Sequence, residues 1–238
     1  MQDKQWLSRT IALIGEEKLN KLINSHVLVV GLGGVGSFAA EFIARAGVGK
    51  MTIVDGDVVD PSNRNRQLPA LASTHGFSKA DWMAARLKDI NPELELNIIK
   101  EFLTPEKAYE IVGLHDYDYI IDAIDSITPK LNLIIASYKL KKRIVMSGGA
   151  GGKLDPTKIQ VADLSKTYNC FFVKTVRKRL KKEKIYKGIK VVFSSEIQAK
   201  QSLILTDGSN YKKSAYGTIS YLPAAFGGVC ASVVIRDL

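Results

Sequence analysis

Gly31, Gly33 and Gly36 carry the spacing G-x-G-x-x-G in the stretch VLVVGLGGVGSFAAEFIARAGVG (27–49), directly after four apolar residues. Glycines between a strand and a helix allow a tight turn and let backbone approach a phosphate. The helix that follows adds N–H groups without intrahelical partners and a partial positive charge. Gly34 removes a further side chain from the same turn. Asp55 closes the next apolar run, KMTIVD, 24 residues after Gly31, near the separation at which a carboxylate accepts from a ribose hydroxyl. Glycines at this spacing also serve close helix packing, but the strand before, the helix after and the acid beyond point together to a nucleotide. Two chemistries stay open on these residues alone: hydride transfer with a dinucleotide, and cleavage of a nucleoside triphosphate.

The loop after Asp55, DGDVVDPSNRNRQ, separates them. A hydride-transfer enzyme leaves its cofactor's phosphates intact and needs little charge beyond the ribose contact. Here Asp57, Asn63, Arg64, Asn65, Arg66 and Gln67 lie just past a strand, where ligands bind in open parallel sheets, and Lys79 follows. Cationic donors at that place answer the negative charge that builds on phosphoryl oxygens during transfer. The bland alternative is a solvated basic loop balanced by Asp57 and Asp60. The segment YIIDAIDS adds Asp122 and Asp125 at the end of a further strand. Carboxylates there suit Mg²⁺, a hard cation that takes oxygen ligands, with Asp125 expected to face the metal and Asp122 to serve structure.

These side chains meet only if strands bring their carboxyl ends together. HVLVV, KMTIVD, LELNIIKEF, YDYIIDAID and RIVMSG read as strands. GVGSFAAEFIARAG, SKADWMAARLKDINP and TPKLNLIIASYKLKK read as the helices among them, with a short helix opened by Thr104 and Pro105. The alternation predicts an α/β class: a Rossmann-like, doubly wound, mostly parallel sheet with helices on both faces. A helical lead-in over 1–25 is expected to set Leu13, Leu19 and Leu22 on one side. After GGAGG (148–152) the pattern loosens into KIQVADL, a basic helix, KVVFSSE and a buried terminal helix in ISYLPAAFGGVCASVVI. At 238 residues, one domain is expected over 1–238, with the nucleotide core in 1–150 and a basic, substrate-facing part with the terminal helix in 151–238.

The net charge of +10 is informative once it is located. Residues 153–213 hold 15 Lys and Arg against five Asp and Glu, whereas the rest of the chain carries 19 of each. The densest part, KTVRKRLKKEKIYKGIK (174–190), contains Arg177, Lys178, Arg179, Lys181 and Lys182. A charge run is often a solvated helix face. Confinement of the whole excess to one segment points instead to a polyanion footprint, because Lys and Arg gain affinity by releasing phosphate counterions. Cys170 and Cys230, the two cysteines, form neither a disulfide framework nor a C-x-x-C zinc pair, and no secretory signal or membrane-spanning run stands out, so a reducing cytoplasm is expected.

VLVVGLGGVGS, TIVDGDVVDPSNRNRQ, GFSKA and DAIDS resemble, in order and spacing, the ATP-binding core of the ThiF/MoeB-like adenylating enzymes, relatives of the ubiquitin-activating enzymes. RTIALIGEEKL, GGAGGKLDPTKIQVADLSKT, VRKRLKK and VVFSSE bring the resemblance closer to the tRNA threonylcarbamoyladenosine dehydratases. The resemblance implies ATP on the glycine loop, Asp55 on the ribose, and Asn63, Arg66 and Lys79 around the phosphates, with Asp125 serving Mg²⁺ and catalysis. It implies a homodimer in which Arg9 reaches the partner's ATP. The implied reaction activates the carboxylate of threonylcarbamoyladenosine at position 37 of tRNA as an acyl-adenylate, after which a nitrogen of the same modification closes the ring. The basic segment then meets the anticodon stem-loop, and a sulfur-transfer protein is a further implied partner. The alternative within the superfamily is adenylation of the C-terminus of a ubiquitin-like or sulfur-carrier protein, which the missing zinc cysteines and the localised positive charge disfavour. Cys170 lies in YNCFF, where the dehydratases more often carry Asp-Pro-Leu, and no covalent cysteine step is expected.

Overall fold

Short runs of Val, Leu and Ile with no polar face demand cover on both sides, and they form the centre of a seven-stranded sheet. The computed structural model describes residues 4–205 and 214–238. Its strands are β1 (His26–Val30), β2 (Lys50–Val54), β3 (Glu95–Ile99), β4 (Tyr119–Asp122), β5 (Ile144–Ser147), β6 (Ile159–Asp163) and β7 (Lys190–Ser194). The order is β3-β2-β1-β4-β5-β7-β6, parallel throughout except for β6, which pairs antiparallel with β7 at the edge. A separate antiparallel pair, β8 (Leu203–Leu205) and β9 (Ser214–Tyr216), lies outside the sheet. The sequence pattern did not foresee that pair, nor that KVVFSSE would sit inside the sheet beside β5.

The helices are α1 (Ser8–Asn24), α2 (Gly36–Arg45), α3 (Lys79–Ile90), α4 (Pro105–Gly113), α5 (Ile127–Lys139), α6 (Phe171–Leu180) and α7 (Tyr221–Asp237). One hydrophobic cluster joins α2, α3 and α7 to one face of the sheet, through Ile43, Met83, Leu87 and Phe226 among others. A second joins α4, α5 and α6 to the opposite face, through Ile111, Ile134, Val173 and Val176. The doubly wound expectation therefore holds. α7 is buried as expected, and no helix among the described residues is long and apolar enough to cross a membrane. Its approach to α2 is close: a Cβ on Gly227 would stand 2.5 Å from the Val35 carbonyl oxygen.

The lead-in differs from its expected form. Gly15 takes φ 79° and ψ 163°, a left-handed value that breaks α1 and resets its phase. Leu19 and Leu22 are buried below the break, whereas Leu13 above it is 85% exposed. A single helical wheel through all three leucines does not exist in the folded chain.

The order reverses between β1 and β4, and ligands in such sheets lie outside the carboxyl ends at that point. Val30 is in register with Val54 on one side and with Asp122 on the other. The three chain exits that follow, at Gly31, Asp55 and Ala123, therefore emerge side by side, about 4.8 Å apart from strand to strand.

Candidate nucleotide-binding site

Packing explains most of the glycine loop. A Cβ on Gly36 would lie 1.7 Å from the Gly31 carbonyl oxygen, and one on Gly31, whose φ is +87°, would lie 3.0 Å from the Ala123 carbonyl. Gly34 is pressed against Pro223 of α7, 2.9 Å from the corresponding position. Gly33 differs, since the nearest atom to its missing Cβ is Gln67 Nε2 at 3.6 Å, an ordinary contact. Neither strain nor crowding requires glycine there. Above it, the buried Gln67 Oε1 has no hydrogen-bond partner among the described residues. A backbone left bare at the start of α2 and an orphaned amide oxygen beside it fit a polar ligand carrying phosphate at its helix end and donors on its sugar or base.

Asp55 ties this loop to the next. Its Oδ2 accepts from the Leu32 N–H at 2.6 Å and its Oδ1 from the Asp57 N–H at 2.8 Å. Burial pushes the carboxyl above its ordinary value, against the pull of the Lys79 charge and those two N–H bonds. Each oxygen keeps a further lone pair, so the carboxylate can still accept from a hydroxyl. Lys79, the first residue of α3, is buried and donates to Asp57 Oδ2 at 3.1 Å. The capping bond from the Asp81 N–H to the Ser78 hydroxyl starts the helix that fixes its position.

The segment between them contains two 3-10 turns, Ala72–Thr74 and, before it, Pro61–Asn63, which is capped by Asp60. Asn63 is buried, and its Oδ1 accepts from the Asp60 N–H at 3.3 Å, so its carbonyl side is spent on the turn. Arg66 points back along the turn, with Nη1 donating to the Ser62 carbonyl at 3.0 Å and to Asn65 Oδ1 at 2.9 Å. Asn65 in turn donates from Nδ2 to the Thr218 carbonyl at 2.8 Å, just before α7. Arg64 is exposed beside them.

At the exit of β4, Asp122 and Lys130 form an ion pair of 2.8 Å in which both side chains are fully buried. The Ile124 N–H also donates to Asp122 Oδ1 at 3.1 Å, while Oδ2 has no partner among the described residues. Burial raises the Asp122 carboxyl against the opposing charge of Lys130. Asp122 is thus structural, as the sequence led us to expect, and the turn it braces presents Asp125 to solvent.

Arg9 does not join the site of its own chain. It follows Leu7, whose Cδ1 is 2.9 Å from where a Cβ on Gly47 would stand, and Gly47 precedes β2 at the amino edge of the sheet. The glycine loop lies at the opposite, carboxyl edge, a strand length of about 16 Å away.

The second half of the chain meets the same edge. The glycine run after β5 is pinned on both sides: the Gly148 N–H donates to the Val192 carbonyl, the Gly152 N–H to the Gly217 carbonyl, and Gln198 Nε2 to the Gly151 carbonyl. α6 begins beside it and runs back toward the amino edge, where β7 starts. Val173, Val176 and Leu180 are buried, and Lys178, Arg179, Lys181 and Lys182 are exposed, in no ion pair among the described residues. Three expectations about the charge run are corrected. Arg177 turns inward, its Nη1 donating to the Leu164 carbonyl, the Thr167 carbonyl and the Thr167 hydroxyl, because it sits on the flank of the buried stripe. Lys153 is buried and donates to the Ser194 carbonyl at 3.2 Å, its amine pKa lowered by desolvation. Lys190 pairs with Asp237. Lys212 and Lys213, at the end of the run, lie outside the described residues.

A model of the ThiF family matches residues 7–238. The chain belongs to the ThiF family. It is 43% identical over 238 residues to the tRNA threonylcarbamoyladenosine dehydratase of Bacillus subtilis, covering 97% of this chain and 93% of that one. Crystal structures of the corresponding Escherichia coli dehydratase are similar to it: the complex with ATP superposes with a TM-score of 0.89 at 38% identity, covering 98% of this chain and 93% of that one. The complex with AMP gives 0.88, covering 98% and 94%.

Within this ThiF-family chain, two roles escaped the sequence. Lys130 is one, because a lysine in a helix gives no sign that it will be buried against a strand-end carboxylate. Asn65 is the other, holding Arg66 on one side and the chain before α7 on the other. Cys170 and Cys230 are both buried, and burial pushes the Cys230 thiol up to about 12, so it is no thiolate at neutral pH.

Proposed function

We propose that this ThiF-family chain catalyses the ATP-dependent cyclisation of N6-threonylcarbamoyladenosine at position 37 of tRNA. The observation that carries this reading is that the exits of β1, β2 and β4, which lead to Gly33, Asp55 and Asp125, lie side by side where the sheet order reverses, with Lys79 tied to Asp55 through Asp57, in a chain whose second half carries cations in no ion pair among the described residues. The names of its relatives and the ATP bound by the Escherichia coli enzyme support the same assignment.

Bound ATP supplies an electrophilic phosphorus and a pyrophosphate leaving group. The α2 N-terminus and Gly33 backbone hold the phosphates, and Asp55 accepts from the ribose. Lys79 and Arg66 face the charge that grows on the phosphoryl oxygens. The threonyl carboxylate attacks the α-phosphorus, pyrophosphate departs, and a nitrogen of the same modification then displaces AMP from the acyl carbon. The oxygen formally lost as water leaves with AMP, and a proton is released from the nitrogen. The second step needs no second substrate, which lowers its entropic cost.

Mg²⁺ belongs to this reading through Asp125. Among the described residues no group of three or more His, Cys, Asp or Glu could hold a metal, but Mg²⁺ is commonly held by one or two carboxylates together with substrate phosphates. Arg9, remote from its own site, serves a partner's site in a homodimer. The chain acts as one domain, its β6 and β7 extending the sheet of the nucleotide half, in a reducing cytoplasm. A sulfur-transfer protein as partner rests on the resemblance alone.

The test is incubation with Mg-ATP and tRNA bearing threonylcarbamoyladenosine, reading AMP and a nucleoside lighter by one water. Turnover only with a carrier protein ending in glycine would replace this function with carrier adenylation. Arg66→Ala and Asp125→Ala should each lower AMP formation by about 10²–10³, the cost of losing one preorganised charge at a transition state, with unchanged melting temperature. Near-normal rates in both would remove them from the site.

A further inference from the structure

Large apolar side chains crowd an edge of the molecule where a solvated surface would carry polar ones. Phe171, the first residue of α6, is 59% exposed, and Ile197, Leu154 and Tyr221 are 71%, 63% and 48% exposed. Hydrogen bonds stitch the loops that carry them. Asn169 Nδ2 donates to the Ser195 carbonyl at 3.1 Å, joining the head of α6 to the end of β7. The Leu154 N–H donates to both Glu196 carboxylate oxygens, at 3.0 and 3.1 Å. The Tyr221 hydroxyl donates to the Leu154 carbonyl at 2.9 Å. Two residues further along, Pro223 presses on Gly34 of the nucleotide loop. A continuous, braced rim thus runs from the glycine loop to the head of the basic helix.

Its neighbours fix what the rim can hold. On α6, Phe171 shares its exposed stripe with Lys174 and Lys178, three and seven residues on, and the exposed Lys182 follows in the 3-10 turn Lys181–Glu183 that continues the helix. Phe172 instead turns inward, its ring 5.6 Å from Lys130 Nζ and its Cβ 3.4 Å from where a Cβ on Gly149 would stand. An apolar partner protein would gain nothing from that row of cations, whereas unpaired bases would use both parts. Nucleobases stack on apolar and aromatic faces while the phosphates between them answer the lysines.

We propose that Phe171, Leu154, Ile197 and Tyr221 form a stacking platform for the unpaired bases of an RNA loop, whose backbone phosphates lie along the exposed stripe of α6. This rests on the tRNA reading above and sharpens it: loop bases are splayed along the path to the nucleotide crevice, and paired RNA is not gripped there.

The experiment compares binding of an RNA hairpin with an unpaired loop to a fully paired duplex carrying the same number of phosphates. Phe171→Ala should bind the hairpin about tenfold more weakly, the usual cost of removing one base stack, with duplex affinity, melting temperature and the salt slope of binding unchanged. Phe171→Leu, which keeps apolar bulk without a ring, should weaken hairpin binding nearly as much. In Phe171→Trp the added indole emission, read against the parent with its native Trp6 and Trp82, should be quenched by the hairpin and not by the duplex. Equal weakening on both RNAs, no weakening, or a change of oligomeric state with hairpin binding intact would overturn the platform; the last result would mark the rim as a contact between copies of this chain. Selective hairpin binding that depends on Phe171 in a protein that never cyclises threonylcarbamoyladenosine would keep the platform and refute the proposed function.

Discussion

The nucleotide crevice and the basic face both carry charge, and they hold it in opposite ways. At the carboxyl ends of β1, β2 and β4 nearly every charged group has a fixed partner: Lys79 with Asp57, Asp122 with Lys130, Asp55 with two backbone N–H groups, Arg66 with two protein oxygens. Along α6 the lysines stand in water without ion pairs among the described residues. The first arrangement places single groups at fixed positions, which bond cleavage requires. The second offers a diffuse field, which suffices to attract a polyanion and is screened by salt.

The contrast is broken most severely by Lys130→Met. Removing one member of a fully buried pair leaves the Asp122 carboxyl buried without its counter-charge, at a cost of about 3–5 kcal/mol, read by chemical denaturation. Asp122→Asn in the same chain should recover much of that stability, since both charges are then gone. If the single variant is as stable as the parent, the pair contributes nothing to the crevice. Gly33→Ala comes next. Its Cβ meets nothing closer than 3.6 Å, so the melting temperature should barely move while the KM for ATP rises by about tenfold or more; an unchanged KM would show that the backbone approaches the ligand elsewhere in the loop. The gentlest change is charge reversal to Glu at Lys178, Lys181 and Lys182. It should leave ATP binding intact and reduce the salt slope of tRNA binding by about one for each RNA phosphate that a lysine no longer neutralises. An unaltered slope would make α6 an ordinary solvated face.

The two regions also differed in how far their residues could be read in advance. The central strands of the nucleotide half are largely apolar runs, while the edge strand β3 is interrupted by Glu95 and Asn97, and the ends of these elements are marked by glycine, Asp or a capping Thr-Pro pair. Their order and type followed from local pattern. The lead-in misled because a glycine at position 15 looks harmless in a helical period, yet it takes a left-handed φ and detaches Leu13 from Leu19 and Leu22. The charge run misled for a similar reason. A count of Lys and Arg does not distinguish Lys178, in water, from Arg177, bonded inward, or from Lys153, buried beside the glycine run.

Sequence by itself determined that a glycine-rich turn joins the first strand to a helix, that cationic and carboxylate groups follow the next strands, and that the excess positive charge lies in one segment. Those properties live in residue type and short spacing, which no fold can alter. The tertiary structure decided which glycines serve packing and which one lies bare, which lysines are buried, and that Phe171, Leu154, Ile197 and Tyr221 share one edge. These depend on contacts between residues tens to hundreds of positions apart, and such contacts are fixed only when the sheet closes its order and the loops bond across it.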